Sequence, residues 1–520
     1  MGSTRAGAAG ALLIVGALVL ARPDAVLGGS PPPLVRIALA VLLILLARGL
    51  VGRRRLARQS AVVLVAVAVV VPPIAPGRLA LLAAVGALAV AYPRGYVVRP
   101  DPHRLRAACL AAAVAVGLSL GRGLWEATRH PVRQAAHQAL PLLPAASDRS
   151  TQVFAGAVFA VLLAAVALAL APWVAPAPGD ESERARVREL VQEPGSGSLA
   201  PFATRADKSY VFSPDGRAVI GFRVHFGVAL AGGDPAGATE SAGAAVTAFA
   251  RLCAQRGWRP AVLGADAADA RLWQAVGVRR AVEIGDEAVL PVASFSAAGR
   301  AMRNVRQAAR RAQNAGVRVG ITELDAALAA RLAPVLRDWL HGQAERGFAM
   351  NLDAILKPRA DVLIAVARDP AGRPVAFARF ARAAGGRLLS LDVVPRGRDA
   401  PNGVVELIVL ETVDHARSHG IAEVSLNFAG MRRVYAGRGP AARLAQVPLK
   451  ALDRWIELDT LYRFTAKFHP LWRARQLRMR SWLDLVPVAT AALTAEFGAR
   501  ATAVAAVAVP AAAPGLLSDR

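Results

Sequence analysis

The sequence is poor in cysteine, lysine and carboxylates. Its 520 residues include two cysteines, Cys109 and Cys253, too few for a disulfide framework or a cysteine zinc site. Only four of the 63 basic residues are lysine, and 37 acidic residues leave a net charge of +26. Such an excess calls for an anionic partner, either nucleic acid or an acidic membrane surface. Familiar catalytic signatures are missing too. Gly232-Gly233-Asp234-Pro235 lacks the lysine and spacing of a phosphate loop, and no Gly-x-Ser-x-Gly elbow precedes a histidine. His415 and His419 stand four apart on a predicted helix, without the glutamate of a zinc-peptidase helix, so no metal site is expected.

What is present is unevenly distributed. Residues 1–180 hold 17 basic against 5 acidic side chains, and residues 181–520 hold 46 against 32. Six apolar stretches occupy approximately residues 7–22, 34–50, 59–75, 77–92, 105–121 and 152–175. A spanning helix needs about 20 mostly apolar residues, so an α-helical membrane domain of about six spans is expected over residues 1–176. None of these stretches carries a central charge, which favours anchoring over an ion or proton path. Arg53, Arg54, Arg55 and Arg58 follow the second stretch, and Arg94, Arg99, Arg104 and Arg106 follow the fourth. By the positive-inside rule both termini are then cytosolic. Residues 121–151, with Trp125, read as an interfacial amphipathic segment.

A linker rich in Pro, Glu, Gly and Ser, residues 177–198, leads to a mixed α/β pattern. Strand-like runs at 210–212, 218–226, 259–263 and 288–291 accompany helical stretches at 240–256 and 298–315. A second round has a helix at 325–346, strands at 362–367, 373–381 and 386–394, a helix at 402–419 and a strand at 423–427. Two similar lobes are predicted, residues 199–320 and 321–490, followed by an Ala-rich tail from 491 to 520.

Along this half, short motifs follow one another in a fixed order. They are Asp207-Lys208-Ser-Tyr-Val-Phe-Ser213, Gly233-Asp-Pro235, Gly285-Asp-Glu-Ala288, the basic helix from Arg303-Asn-Val-Arg306 to Arg311, Trp339-Leu and Glu345-Arg-Gly-Phe348. Then come Ser390-Leu-Asp392, Asp399-Ala-Pro-Asn-Gly403, Ser425-Leu-Asn-Phe-Ala429 and Leu461-Tyr-Arg-Phe-Thr-Ala-Lys-Phe-His-Pro470. Each is short, but ten in order across some 270 residues resemble the lysylphosphatidylglycerol synthetase C-terminal domain family, the aminoacyl-tRNA:phosphatidylglycerol transferases. The closest likeness is to the actinobacterial branch, here without a fused lysyl-tRNA synthetase.

The resemblance implies two tandem acetyltransferase-like (GNAT) lobes. The second is catalytic, with no acetyl-CoA and no other cofactor. It also implies that a membrane lipid hydroxyl, that of phosphatidylglycerol, attacks the ester of an aminoacyl-tRNA, which lowers the membrane's negative charge. Such a reaction needs two aligned reactants, a proton acceptor and oxyanion donors.

On this sequence the ammonium or proton would be handled by Asp392, Glu345 and Glu287. The backbone at Asn402 and Gly403 would face a phosphate or oxyanion. Asn427 would end a strand beside the site. Arg463 and Lys467 would meet the terminal nucleotide, and Arg303, Arg306, Arg310 and Arg311 the acceptor stem. Lys208 is family-like, with no separate role assigned. Many relatives follow the aspartate with Leu-Met-Arg, whereas Asp392 precedes Val393-Val394-Pro395-Arg396, so either Arg396 would take the lipid phosphate or the acceptor would be another membrane lipid, such as diacylglycerol. A CoA-dependent acyltransferase, or a non-catalytic tRNA- or lipid-binding membrane protein, are the other readings.

Overall fold

The computed structural model describes residue 13 and residues 33–70, 97–129, 149–342, 351–430 and 458–498. The chain divides into two compact units, one of residues 1–174 with 252–258, the other of residues 175–251 with 259–520.

The first unit contains helices α1 (Pro33–Val51), α2 (Arg55–Val70), α3 (Pro102–Arg129) and α4 (Arg149–Ala169). Small residues allow α1 and α2 to pack closely, since a Cβ on Gly49 would stand 2.5 Å from the Ala57 side chain. Asp101 starts α3 by accepting from the His103 N–H at 3.0 Å. Among the described residues one helix, Pro102–Arg122, is long and apolar enough to cross a membrane. Gly156–Ala169 is apolar but shorter. The expected stretches 7–22 (Leu13 apart) and 77–92 lie outside the described residues. Trp125 belongs to α3 itself rather than to a separate interfacial helix.

The second unit opens with α5 (Glu181–Val191). Asp180 accepts from the Glu183 N–H at 2.9 Å, and the Glu183 carboxylate accepts from the Asp180 N–H at 3.1 Å, a reciprocal cap. Among the described residues twelve strands follow: β1 (Ser209–Phe212), β2 (Ala218–His225), β3 (Val228–Gly232), β4 (Ala236–Gly237), β5 (Arg259–Asp266), β6 (Arg280–Pro291), β7 (Arg318–Thr322), β8 (Val362–Arg368), β9 (Pro374–Ala383), β10 (Leu388–Val393), β11 (Glu423–Gly430) and β12 (Leu471–Met479). They form one sheet in the order β1-β2-β3-β5-β12-β6-β11-β10-β9-β8-β7, with β4 paired to β2. Helices α6 (Thr239–Arg256), α7 (Ala270–Ala275), α8 (Arg303–Asn314), α9 (Ala326–Leu340), α10 (Val404–Ser418), α11 (Leu458–Ala466) and α12 (Leu485–Phe497) are interleaved with them.

The two expected rounds of strands are thus joined edge to edge. The boundary drawn at residue 320 falls inside β7, which pairs with β8. More consequentially, β12 returns to lie between β5 and β6. Behind it, Val488 and Ala491 of α12 pack against Val228 and Leu230 of β3. The last described elements therefore complete the core of the first half, not the second. The alternation of β5 and β12 explains this. Leu263, Leu477 and Met479 offer an apolar face that neither round alone could cover. The expected tail begins later than residue 491, because α12 continues to Phe497.

Alternation along the strands gives the sheet two unlike faces. Leu290, Leu363, Phe380, Leu389, Leu391, Val424 and Leu426 point toward α8 and α10, meeting Val305, Ala309, Leu407 and Ile408 in the largest core. Their neighbours in sequence point the other way, and among those are Arg379, Ser390, Asp392, Ser425 and Asn427.

Candidate active site

Four adjacent strands place buried polar side chains on the face away from α8 and α10. They are Arg379 on β9, Ser390 and Asp392 on β10, Ser425 and Asn427 on β11, and Glu287 on β6. Arg475 on the neighbouring β12 continues the row. Phe202 and Leu352 belong to an apolar cluster that covers part of this face.

The row contains two ion pairs. The Arg379 Nε lies 2.9 Å from Asp392 Oδ2 with both side chains fully buried. The rest of that guanidinium donates to the carbonyls of Ala354 (2.9 Å) and Asp353 (3.1 Å). The other oxygen of Asp392 accepts from the Leu352 N–H at 2.8 Å. Asp392 therefore fastens β10 to β9 and to residues 351–354. Burial outweighs Arg379 and raises its pKa above the usual aspartate range.

Arg475 forms the second pair with Glu287, whose other oxygen accepts from the Ser425 hydroxyl. Arg475 also donates to Ser198 Oγ at 2.9 Å and stands 3.5 Å from Asp266 and 3.8 Å from Asp234. Burial opposes ionisation of Glu287, but Arg475 with the Ser198 and Ser425 hydroxyls prevails and holds its pKa down. For Asp234 burial wins and pushes the pKa up to about 6, although its oxygens accept from Trp273 Nε1 (2.8 Å) and the Asp266 N–H (2.7 Å).

Between the two pairs the sheet opens. Strands β10 and β11 run parallel, with Ser390 opposite Ser425 as their last paired residues. Just beyond, β10 shifts register against β9 between Leu391 and Val393, and β11 shifts against β6 between Ser425 and Phe428. Asn427 sits at φ 65° and its side-chain amide donates to the Leu391 carbonyl at 2.8 Å, replacing a lost ladder bond. The Ser390 hydroxyl, fully buried in this row, has no hydrogen-bond partner among the described residues. Paired charges, a splayed strand end and an unsatisfied hydroxyl can together orient a polar substrate and keep water out.

Lys208 is fully buried, and burial lowers its pKa to about 7 against the attraction of Asp207. Beside it Asp207 bridges Arg205 (3.0 Å) and Arg223 (3.1 Å). A cavity of about 850 Å³ adjoins residues 353–361, lined by Arg184, Arg188, Lys357, Arg359, Arg382 and Asp361.

Of the expected site residues, Asp392, Glu287 and Asn427 fall together in this row. The others are placed differently. Lys467 reaches Glu406 Oε1 at 2.9 Å, so its charge is engaged within the protein. Arg306 donates to the carbonyls of Ala297 and Gly299 (2.7 Å for the latter) and shapes the turn before α8. Gly403, at φ 93°, is needed for close packing, since a Cβ there would meet the Ala308 carbonyl at 1.9 Å. Asn402, Arg303, Arg396 and Arg463 are exposed. Glu345 lies outside the described residues. Arg379 and Arg475 escaped the sequence reading. Their signal was an arginine embedded in an otherwise apolar strand, as in Ala376-Phe377-Ala378-Arg379-Phe380.

The family described as phosphatidylglycerol lysyltransferase, C-terminal, matches residues 188–478, which contain the whole polar row. The lysylphosphatidylglycerol biosynthesis bifunctional protein LysX of Mycobacterium tuberculosis H37Rv is 40% identical over 327 residues, covering 61% of this chain and 28% of that protein. The protein of the same name from Mycobacterium marinum is 36% identical over 396 residues, covering 71% and 35%. The chain thus spans about a third or less of the length of these relatives. Two solved structures share the fold at a TM-score of 0.53. One is a C-terminal domain from Agrobacterium fabrum named for lysylphosphatidylglycerol synthetase, 22% identical and covering 61% of this chain and 98% of that one. The other is L-PGS from Bacillus licheniformis, 21% identical and covering 61% and 97%.

Proposed function

The chain belongs to the phosphatidylglycerol lysyltransferase C-terminal family, and we propose from that premise that it transfers a lysyl group from lysyl-tRNA to a hydroxyl of phosphatidylglycerol. The lipid oxygen attacks the ester carbonyl, the bond to the tRNA ribose breaks, and the departing ribose oxygen takes up the proton lost by the lipid. Nothing is oxidised or reduced, so the step balances without a cofactor.

The observation that carries this reading is the coincidence of the family match with a row of buried charges on one sheet face. Buried ions oppose folding unless paired, and a chain that keeps them beside a splayed strand end keeps them for a task. In this reading Arg379–Asp392 and Glu287–Arg475 are positioning pairs. They fix the ends of β10 and β11 so that the ester lies along the gap, with Ser390 and Asn427 offering polar contacts. The exposed Arg303, Arg310 and Arg311 of α8 meet tRNA phosphates, and Arg396 meets the lipid phosphate. A membrane-anchoring region of several spans, with the transferase half in the cytosol, belongs to the same proposal.

The test supplies purified full chain with lysyl-tRNA carrying labelled lysine and vesicles containing phosphatidylglycerol. Label should appear in the lipid fraction, and not when the tRNA is uncharged. If the label stays on tRNA while a parallel reaction supplied with acyl-CoA consumes it, the transferase reading gives way to an acyl-CoA enzyme.

A further inference from the structure

One end of the sheet carries large apolar side chains in water. Leu483 is 92% exposed, Phe226 63%, Val486 55% and Trp482 48%. Specific contacts bring them together. Phe226 and Gly227 form the turn between β2 and β3, and the Gly227 carbonyl accepts from the Arg259 N–H at 2.8 Å. Arg259 in turn reaches Asp484 at 3.1 Å. Met479, the last residue of β12, is registered opposite Arg280, whose guanidinium lies 6.0 Å from the centre of the Trp482 ring. Exposed arginines 259, 279, 280 and 480 surround this group, and Asp484 is engaged by the first of them.

The turn itself is unusual. Phe226 has φ 52° and Gly227 φ 75°, the geometry in which asparagine or glycine relieves strain at the first position. A phenylalanine there accepts backbone strain in order to hold an aromatic ring in solvent, and folding alone does not select that.

We propose that this end of the second unit docks on an anionic lipid bilayer, with Phe226, Trp482, Leu483 and Val486 entering the headgroup region and the four arginines meeting lipid phosphates. Aromatic and aliphatic projections ringed by cations suit that boundary. A nucleic acid would satisfy the arginines but leave Leu483 and Val486 without a partner. The inference does not rest on aminoacyl transfer and is read without it.

The experiment uses the full chain with Cys109→Ser and Cys253→Ala, carrying Leu483→Cys labelled with a polarity-sensitive fluorophore. The protein is placed in nanodiscs of phosphatidylcholine with or without phosphatidylglycerol. Leu483 is almost fully exposed, so the label should not disturb folding. Emission should shift to the blue in the anionic discs and return toward its aqueous value in pure phosphatidylcholine or at high salt. It should also return when Arg279→Glu and Arg280→Glu are added. A label at Ala371→Cys, in the exposed β8–β9 turn, should stay aqueous throughout. Aqueous emission at Leu483 in every disc overturns the proposal. So does a shift independent of phosphatidylglycerol, or one matched at Ala371.

Discussion

The two faces of the second unit's sheet are built on opposite terms. Toward α8 and α10 the strands present Leu389, Leu391, Val424 and Phe380, a face whose burial drives folding at roughly 25 cal/mol per Å². Toward the other side the same strands bury Arg379, Asp392, Ser425 and Glu287, groups that oppose burial and hold only because each has a partner. That second face also packs Ile364, Val366 and Phe377 against α9, so the polar row is the exception within it. Mutations in the apolar layers should lower the amount of folded protein, and mutations in the row should also change what the folded protein does.

The sharpest way to break that contrast is Asp392→Ala. It leaves Arg379 fully buried without its carboxylate, and unfolding measurements should show a loss of about 3–5 kcal/mol. The double change Arg379→Met with Asp392→Leu should recover most of that stability while lysyl transfer remains lost. Recovery of transfer with the fold would mean that the pair has no role beyond structure.

On the opposite face Leu389→Ala should cost about 2–5 kcal/mol through the cavity it leaves. Transfer per folded molecule should be unchanged, checked by normalising the rate to the folded fraction.

Lys208→Met removes a fully buried ammonium beside the Asp207 carboxylate, and it should change how native stability depends on pH. The sign of its pH dependence follows from the depressed pKa. Between about 7 in the folded state and 10.5 unfolded the unfolded chain binds more protons, so native stability rises with pH over that interval. Thermal melts should show that rise in the wild type and a flatter profile in the variant.

The smallest effect is expected for Arg310→Ala with Arg311→Ala. These exposed residues should leave the melting temperature in place and lower the salt slope of tRNA binding by about one for each phosphate contact removed.

Much of this architecture was legible beforehand. The periodicities read at residues 218–226, 240–256, 362–367 and 402–419 match the elements at 218–225, 239–256, 362–368 and 404–418, because each is a run of one period bounded by Gly, Pro or charged residues. The two-lobe division read less well. A strand's partner is set by long-range fit, and nothing within 471–479 announces that it belongs between β5 and β6. The site was half visible. Asp392, Glu287 and Asn427 stood out through their motifs, whereas Arg379 and Arg475 looked like ordinary surface charge in an arginine-rich chain. Only three-dimensional pairing distinguishes a buried arginine from a solvated one.

The threading of β12 also sets a timetable. While the ribosome is still making residues 300–470, β5 and β6 have no strand between them and present two open backbone edges. The central gap is filled only when residues 471–479 emerge, long after β5 and β6 have been made. A message cut short before that point would yield a product with bare edges, suited to aggregation and to proteolysis, so quality control of this protein turns on whether β12 has been made.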